Sequence, residues 1–88
     1  MSNYIENKPY LDFVRTLPCC NTGQWPVEAH HVIGFGSGMT GGKASHDIHA
    51  VPLAPEVHAE VHKNPKQWPQ LMWVVETQEK AIKAGVLK

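Results

Sequence analysis

The sequence predicts a small α+β domain in which one helix, two short strands and two further helices follow in that order. Apolar residues recur at intervals of three and four near both ends of the chain, as they do in amphipathic helices. Two short apolar runs flank residues 34–45, which contain five glycines and therefore indicate a loop. A length of 88 residues allows a single domain with a thin core.

The first helix is predicted over residues 8–17 and lies before the expected core of the domain, residues 17–64. Asn7 can cap this helix, Pro9 suits its first turn, and Pro18 ends it. Its apolar stripe consists of Tyr10, Phe13, Val14 and Leu17.

Two strands are predicted over residues 27–33 and 47–53, joined as a hairpin by the glycine-rich loop. A helix follows, with Pro55 at its start and Asn64 at its end. The longest helical pattern covers residues 69–84, flanks the core on its C-terminal side, and has Gly85 as its cap. The stripe expected to be buried in this last helix consists of Leu71, Val74, Val75, Gln78 and Ile82.

Composition limits the function classes. There are 8 basic and 8 acidic residues, so no overall charge attracts nucleic acid or an anionic membrane. No apolar run is long enough to cross a bilayer and the first ten residues lack a secretory pattern, so we expect a cytoplasmic protein. Cys19 and Cys20 are adjacent, which excludes a disulfide framework and a zinc site of paired C-x-x-C motifs. Such a staple is therefore absent or replaced by the packing of Trp25, Trp68 and Trp73, which we expect in the core, with base stacking as the alternative.

All six histidines lie between residues 30 and 62. His58 and His62 are four residues apart on a predicted helix, so their imidazoles project from one face and can meet one metal ion. His30, on a neighbouring strand, can supply a third nitrogen. Three protein ligands with an open position describe a catalytic metal site rather than a structural one. The alternatives are a solvated histidine pair and adventitious metal binding; a zinc protease is disfavoured because Ala59 stands where its motif needs glutamate.

His30 and His31 are neighbours on the first predicted strand. Successive strand residues point to opposite faces of a sheet, so packing alone favours one apolar and one polar residue here. The two imidazoles are therefore expected to serve different purposes.

The motifs "EAHH", "VPL" and the H-x-x-x-H that follows, in this order and spacing, resemble the HNH nucleases of the ββα-metal (His-Me finger) fold. Within that family the chain is similar to a small phage-borne branch that includes RecA-dependent recombination nucleases. The resemblance extends from about Tyr10 to Pro65. It implies a ββα-metal core in which a strand and a helix hold one metal ion.

The resemblance implies a role for each histidine of the motifs. His30 would bind the metal and His31 would be the general base that activates water. His58 and His62 would supply the remaining ligands. Many relatives have Asp-His at the first pair, whereas colicin-type DNases have His-His, as this chain does.

The position that is often asparagine, just before the "VPL" strand, is His49 in this chain, and Asp47 lies two residues upstream. The resemblance therefore leaves two candidates, Asp47 and His49, for the residue that orients the catalytic imidazole. Lys43, at the end of the glycine-rich loop, is a candidate phosphate contact, with an ordinary solvated lysine as the alternative.

The function that the resemblance implies is a metal-dependent endonuclease that hydrolyses DNA phosphodiester bonds. The cofactor would be a divalent ion, Mg, Zn, Ni or Mn; imidazole-rich sites favour transition metals for binding. The expected partners are DNA and either a second copy of the chain or recombination proteins of the phage or host. One alternative is a non-catalytic DNA- or protein-binding module stabilised by metal, and another is a metal-binding protein without a nucleic-acid role. A binding module has no need for His31 as an unliganded imidazole.

Overall fold

The computed structural model describes residues 5–34 and 46–87 and confirms the α+β class and the order of the elements. Single 3₁₀ turns at Asp47–His49 and Pro65–Gln67 precede the second strand and the last helix. Within the two described ranges, no helix has the length and apolar character needed to cross a membrane. The elements are α1 (Lys8–Val14), β1 (Glu28–His31), β2 (Ala50–Leu53), α2 (Pro55–Lys63) and α3 (Gln70–Lys83).

The two strands form an antiparallel hairpin, as predicted, with Glu28 opposite Leu53 and His31 opposite Ala50. Both strands are shorter than the predicted ranges of 27–33 and 47–53. The second strand starts later because Asp47 bonds to the N-terminal segment: its N–H donates to the carbonyl of Ile5 at 2.9 Å. Residues 35–45 of the glycine-rich segment, which include the candidate Lys43, lie outside the described residues.

Helix α1 begins where the sequence predicts. The side chain of Asn7 accepts a hydrogen bond from the N–H of Tyr10 at 3.0 Å, and Pro9 occupies the first turn. The helix ends at Val14, three residues before the predicted end, because the next residues form a tighter turn. Tyr10 and Val14 are fully buried, and the Tyr10 hydroxyl donates to the carbonyl of Ala50 at 3.1 Å. These contacts hold α1 against the start of β2.

The main core lies between the hairpin, α2 and α3. It is built from small aliphatic side chains with one tryptophan, and Trp68 packs against it. Its buried members are Cys19, Val32, Val51, Leu53, Ala54, Val57, Val61, Trp73 and Val74. A second cluster under α1 consists of Tyr10, Val14, Ala50 and Ala81. The hairpin is thus covered by helices, which fixes the direction of its side chains.

The buried face of α3 differs from the predicted one. Leu71, Val75 and Ile82 are 45–57% exposed, and only Val74 of the predicted stripe is buried. The side facing the core consists of Gln70, Trp73, Val74, Thr77 and Ala81. Two apolar stripes overlap on this helix. The buried one also contains Gln70 and Thr77, whose side chains form hydrogen bonds to other parts of the chain. The cap is as predicted: Gly85 has φ +77°, and the N–H of Val86 bonds to the carbonyl of Ala81 at 2.8 Å.

The tryptophans do not all fill the core. Trp73 is buried and Trp68 is partly buried, but Trp25 is 60% exposed, so the prediction was wrong for Trp25. Trp25 lies in the turn before β1, where its indole N–H donates to the carbonyl of Thr16 at 3.2 Å. An indole that finds a backbone acceptor at the surface needs no place in the core. Both cysteines are free thiols, as expected.

Candidate metal centre

Three histidines from two elements meet at one point of the structure. β1 carries His30, and α2 presents His58 and His62 on one face, one helical turn apart. The ring centroid of His30 lies 4.8 Å from that of His58 and 5.3 Å from that of His62, and the two helix rings are 4.9 Å apart. One nitrogen from each ring lies within 4.8 Å of the others. The three imidazoles can therefore hold one metal ion.

The spacing of these nitrogens is wider than in a metal-bound site. Two nitrogens bonded to one tetrahedral zinc ion at about 2.0–2.1 Å lie about 3.3–3.4 Å apart. The side chains would have to rotate towards one another to reach this spacing. His58 is partly exposed and His62 is exposed, so both rings have room to move.

The state of His30 also fits a metal ligand. His30 is fully buried, and its Nδ1 atom has no hydrogen-bond partner in the described part of the chain. Burial lowers the pKa of His30 to about 4; the nearby His58, His62 and His31 lower it as well, and a hydrogen bond to Gln70 opposes them. The imidazole is therefore neutral at pH 7, which is the form that binds metals.

Two further residues hold the ligand rings, and the sequence analysis missed both. Glu28 Oε1 lies 2.7 Å from His58 Nδ1, and Gln70 Oε1 lies 2.8 Å from His30 Nε2. Partners of this kind orient metal-binding histidines. A signal for Glu28 existed, because it lies two residues before His30 and so on the same face of the strand. For Gln70 no sequence motif gave a signal.

His31 lies apart from this cluster and has a partner of its own. Its Nε2 atom is 2.9 Å from Oδ1 of Asp47, which is almost fully buried. The other oxygen of Asp47 accepts a hydrogen bond from the N–H of Asn7 at 2.8 Å. The His49 ring lies against His46, with centroids 5.5 Å apart. Asp47, one of the two candidates for orienting the imidazole, thus forms a hydrogen bond to it.

Solvent reaches both His31 and the cluster formed by His30, His58 and His62. The His31 side chain is 30% exposed. A depression of about 350 Å³ borders the three-histidine cluster and is lined by Glu28, Pro55, His58, Ala59 and His62. A larger cavity of about 470 Å³ lies between residues 18–23 and α3 and is lined by no histidine. The smaller depression is therefore the candidate surface for a substrate.

A family model matches residues 2–85, nearly the whole chain, and describes a protein family of unknown function, DUF968. The chain belongs to the DUF968 family. It is 35% identical over 83 residues to the uncharacterized protein YdfU of Escherichia coli (strain K12), covering 89% of this chain and 24% of YdfU. This DUF968 chain thus spans about a quarter of the length of that relative. No solved structure matches this chain. The matching family is DUF968 and not an HNH nuclease family, so the nuclease function stays a prediction.

Proposed function

We propose that this DUF968 chain is a metal-dependent endonuclease domain that hydrolyses DNA phosphodiester bonds. The observation that carries the proposal is the arrangement of the two neighbouring histidines of β1. His30 lies with His58 and His62, while His31 is hydrogen-bonded to the buried Asp47. Metal storage would need only the cluster of His30, His58 and His62, without His31 and Asp47. Hydrolysis of a phosphodiester with one metal ion can use both groups, the ion to stabilise charge and a separate base to activate water.

Asp47 gives His31 the form that a general base requires. An ionised carboxylate only accepts hydrogen bonds, so the Nε2 atom of His31 carries the proton and its Nδ1 atom is left with a lone pair. That lone pair can take a proton from an attacking water molecule, and the Asp47 carboxylate then stabilises the imidazolium that forms. Histidine suits this task because it can exchange a proton near neutral pH.

His30, His58 and His62 would hold the divalent ion. Bound there, the ion would stabilise the negative charge on the scissile phosphate and on the leaving oxygen. Glu28 keeps the Nδ1–H of His58 turned towards itself and leaves the Nε2 atom of that ring for the metal. The depression beside Pro55 gives a phosphate access to this side of the cluster. DNA as the substrate follows from the resemblance of the motifs to HNH nucleases.

The test is a nicking assay on supercoiled plasmid with metal-free protein to which Mg²⁺, Mn²⁺, Ni²⁺ or Zn²⁺ is added. We expect cleavage with at least one ion, and loss of cleavage in His30→Ala and His62→Ala. The matched control is His46→Ala, which changes a histidine that is not in the three-histidine cluster. Absence of cleavage with every ion would overturn the nuclease proposal. If the ions then still bind and stabilise the wild-type fold, two functions remain: the metal-stabilised binding module and the metal-binding protein without a nucleic-acid role. Salt-sensitive DNA binding would favour the first of them.

A further inference from the structure

We propose that Gln70, the first residue of α3, is a positioning residue that selects the ring nitrogen with which His30 binds metal. The inference rests on the proposed role of His30 as a ligand. It concerns a residue 40 positions away in the sequence and on a different element. Through Gln70, the C-terminal helix would contribute to a site whose ligands all lie on β1 and α2.

The side-chain amide of Gln70 is fully buried and takes part in four hydrogen bonds. Its Oε1 atom lies 2.8 Å from His30 Nε2 and accepts from the N–H of Ile33 at 3.3 Å. Its Nε2 atom donates to the carbonyls of Ile33 at 3.0 Å and Pro65 at 2.7 Å. The amide thus connects β1, the residues after β1 and the residues after α2.

These partners fix the orientation of the amide. A carbonyl only accepts hydrogen bonds, so the NH₂ end of Gln70 has to face the carbonyls of Ile33 and Pro65. Its oxygen therefore has to face the N–H of Ile33 and the ring of His30. Rotation of the amide by 180° would lose the three hydrogen bonds to the backbone of Ile33 and Pro65, whose donors and acceptors cannot change.

The fixed amide in turn determines the tautomer of His30. An amide oxygen only accepts, so the Nε2 atom of His30 must carry the proton of the neutral ring. The lone pair is then on Nδ1, the buried ring atom without a hydrogen-bond partner in the described ranges. A metal ligand needs such a lone pair. Gln70 therefore prepares His30 to bind through Nδ1 before any metal arrives.

The experiment compares three variants with the wild type by two measurements. The first is the tautomer of His30 in metal-free protein, from the ¹⁵N chemical shifts of its ring. The second is the affinity for Zn²⁺, measured by competition with a chelator. Gln70→Leu removes the acceptor, whereas Gln70→Glu keeps an acceptor but loses both donated bonds. Thr77→Val is the matched control, because Thr77 is another buried polar residue on the same side of α3.

We expect a single Nε2–H tautomer in the wild type, in Gln70→Glu and in Thr77→Val. In Gln70→Leu we expect shifts averaged between two tautomers and a Zn²⁺ affinity lower by about 10–100-fold. A protonated Nδ1 in the wild type, or a single Nε2–H tautomer with wild-type affinity in Gln70→Leu, would overturn the inference. If Gln70→Leu does not fold, Gln70→Glu decides: averaged shifts there would show that packing and not the acceptor is what matters. The tautomer is read without metal, so its outcome is distinct from a failure of the wild type to bind Zn²⁺.

Discussion

The Nε2 atom of His31 lies 2.9 Å from the Oδ1 atom of Asp47. The carboxylate is held from its other side by the backbone of Asn7, the residue that also caps α1. A partly exposed imidazole is thus supported by a buried acid, and that acid is supported by the start of a helix. The same support would be needed by a base that must keep one tautomer while a substrate binds.

His31→Ala should abolish cleavage while leaving metal and DNA binding intact. His31 faces away from His30, so its removal leaves the three-histidine cluster unchanged. Loss of a general base lowers the rate by about 10²–10⁴-fold. The measurements are Zn²⁺ and DNA affinity by titration and the rate of plasmid nicking. A variant that nicks at the wild-type rate would refute the role of His31, and one that loses metal would mean that the roles of the two histidines are reversed.

Asp47→Asn should lower the nicking rate, and His49→Ala should change it far less. An amide can present its NH₂ group to His31, which would move the proton to the wrong ring nitrogen, at a cost on the order of 10²–10⁴-fold. The two variants are to be compared under identical conditions, with circular dichroism to show that both are folded. A larger loss in His49→Ala than in Asp47→Asn would make His49 the orienting residue.

His58→Ala should weaken Zn²⁺ binding by at least about tenfold, because it removes one of two ligands on α2. Glu28→Gln should have a smaller effect in the same direction, since its neutral oxygen still accepts from His58 Nδ1 but with less charge. Isothermal titration calorimetry of both variants, with His46→Ala as the control, measures these differences. Wild-type affinity in His58→Ala would show that α2 is not a source of ligands.

The metal-free protein should lose stability as the pH falls from about 6.5 to 4. The pKa of His30 is about 4 in the folded protein, below the ordinary value near 6.5 of the unfolded chain, so the unfolded state binds more protons in this window. The free energy of unfolding is therefore highest above pH 6.5 and decreases by roughly 3 kcal/mol towards pH 4. Urea titrations in the presence of a chelator measure it. His30→Gln should lack this part of the pH dependence, and an unchanged slope there would contradict the assignment.

Bound metal should raise the melting temperature. An ion at 100 times its dissociation constant adds about 2.7 kcal/mol to the free energy of unfolding. For a domain of this size that corresponds to a shift of about 10–20 °C. Differential scanning calorimetry with Zn²⁺ and with a chelator gives the shift, and His62→Ala should reduce it. Equal melting curves in the two conditions would count against a site that connects β1 with α2.

The sequence was sufficient to predict the direction of a side chain where a single periodicity determines it. The four-residue spacing of His58 and His62 placed both rings on one face of α2, and strand alternation separated His30 from His31. It failed for α3, because Val74 belongs to two overlapping stripes, one with Val75 and one with Trp73, and only tertiary contacts choose between them.

The supporting residues of the candidate site were harder to predict than the histidines. Gln70 and Asp47 act through hydrogen bonds to residues 40 and 16 positions away, and such contacts leave no periodic trace in a sequence. Asp47 was at least one of two candidates, because it lies two residues before His49, the position that is often asparagine in HNH nucleases. The role of Gln70 could not be predicted from the sequence, because a glutamine at the start of a helix is expected to be solvated.

The register of the hairpin has one more consequence. His30 and His31 are the same residue type, so nothing in their own chemistry distinguishes them. Their surroundings differ only because His30 pairs with Val51 and His31 with Ala50, which gives the two positions opposite parity along the strand. A shift of the pairing by one residue would turn His31 towards Gln70 and α2, whereas a shift by two would restore the original sides. Which of the two histidines lies beside His58 and His62 is thus set by whether such a shift is by an odd or an even number of residues.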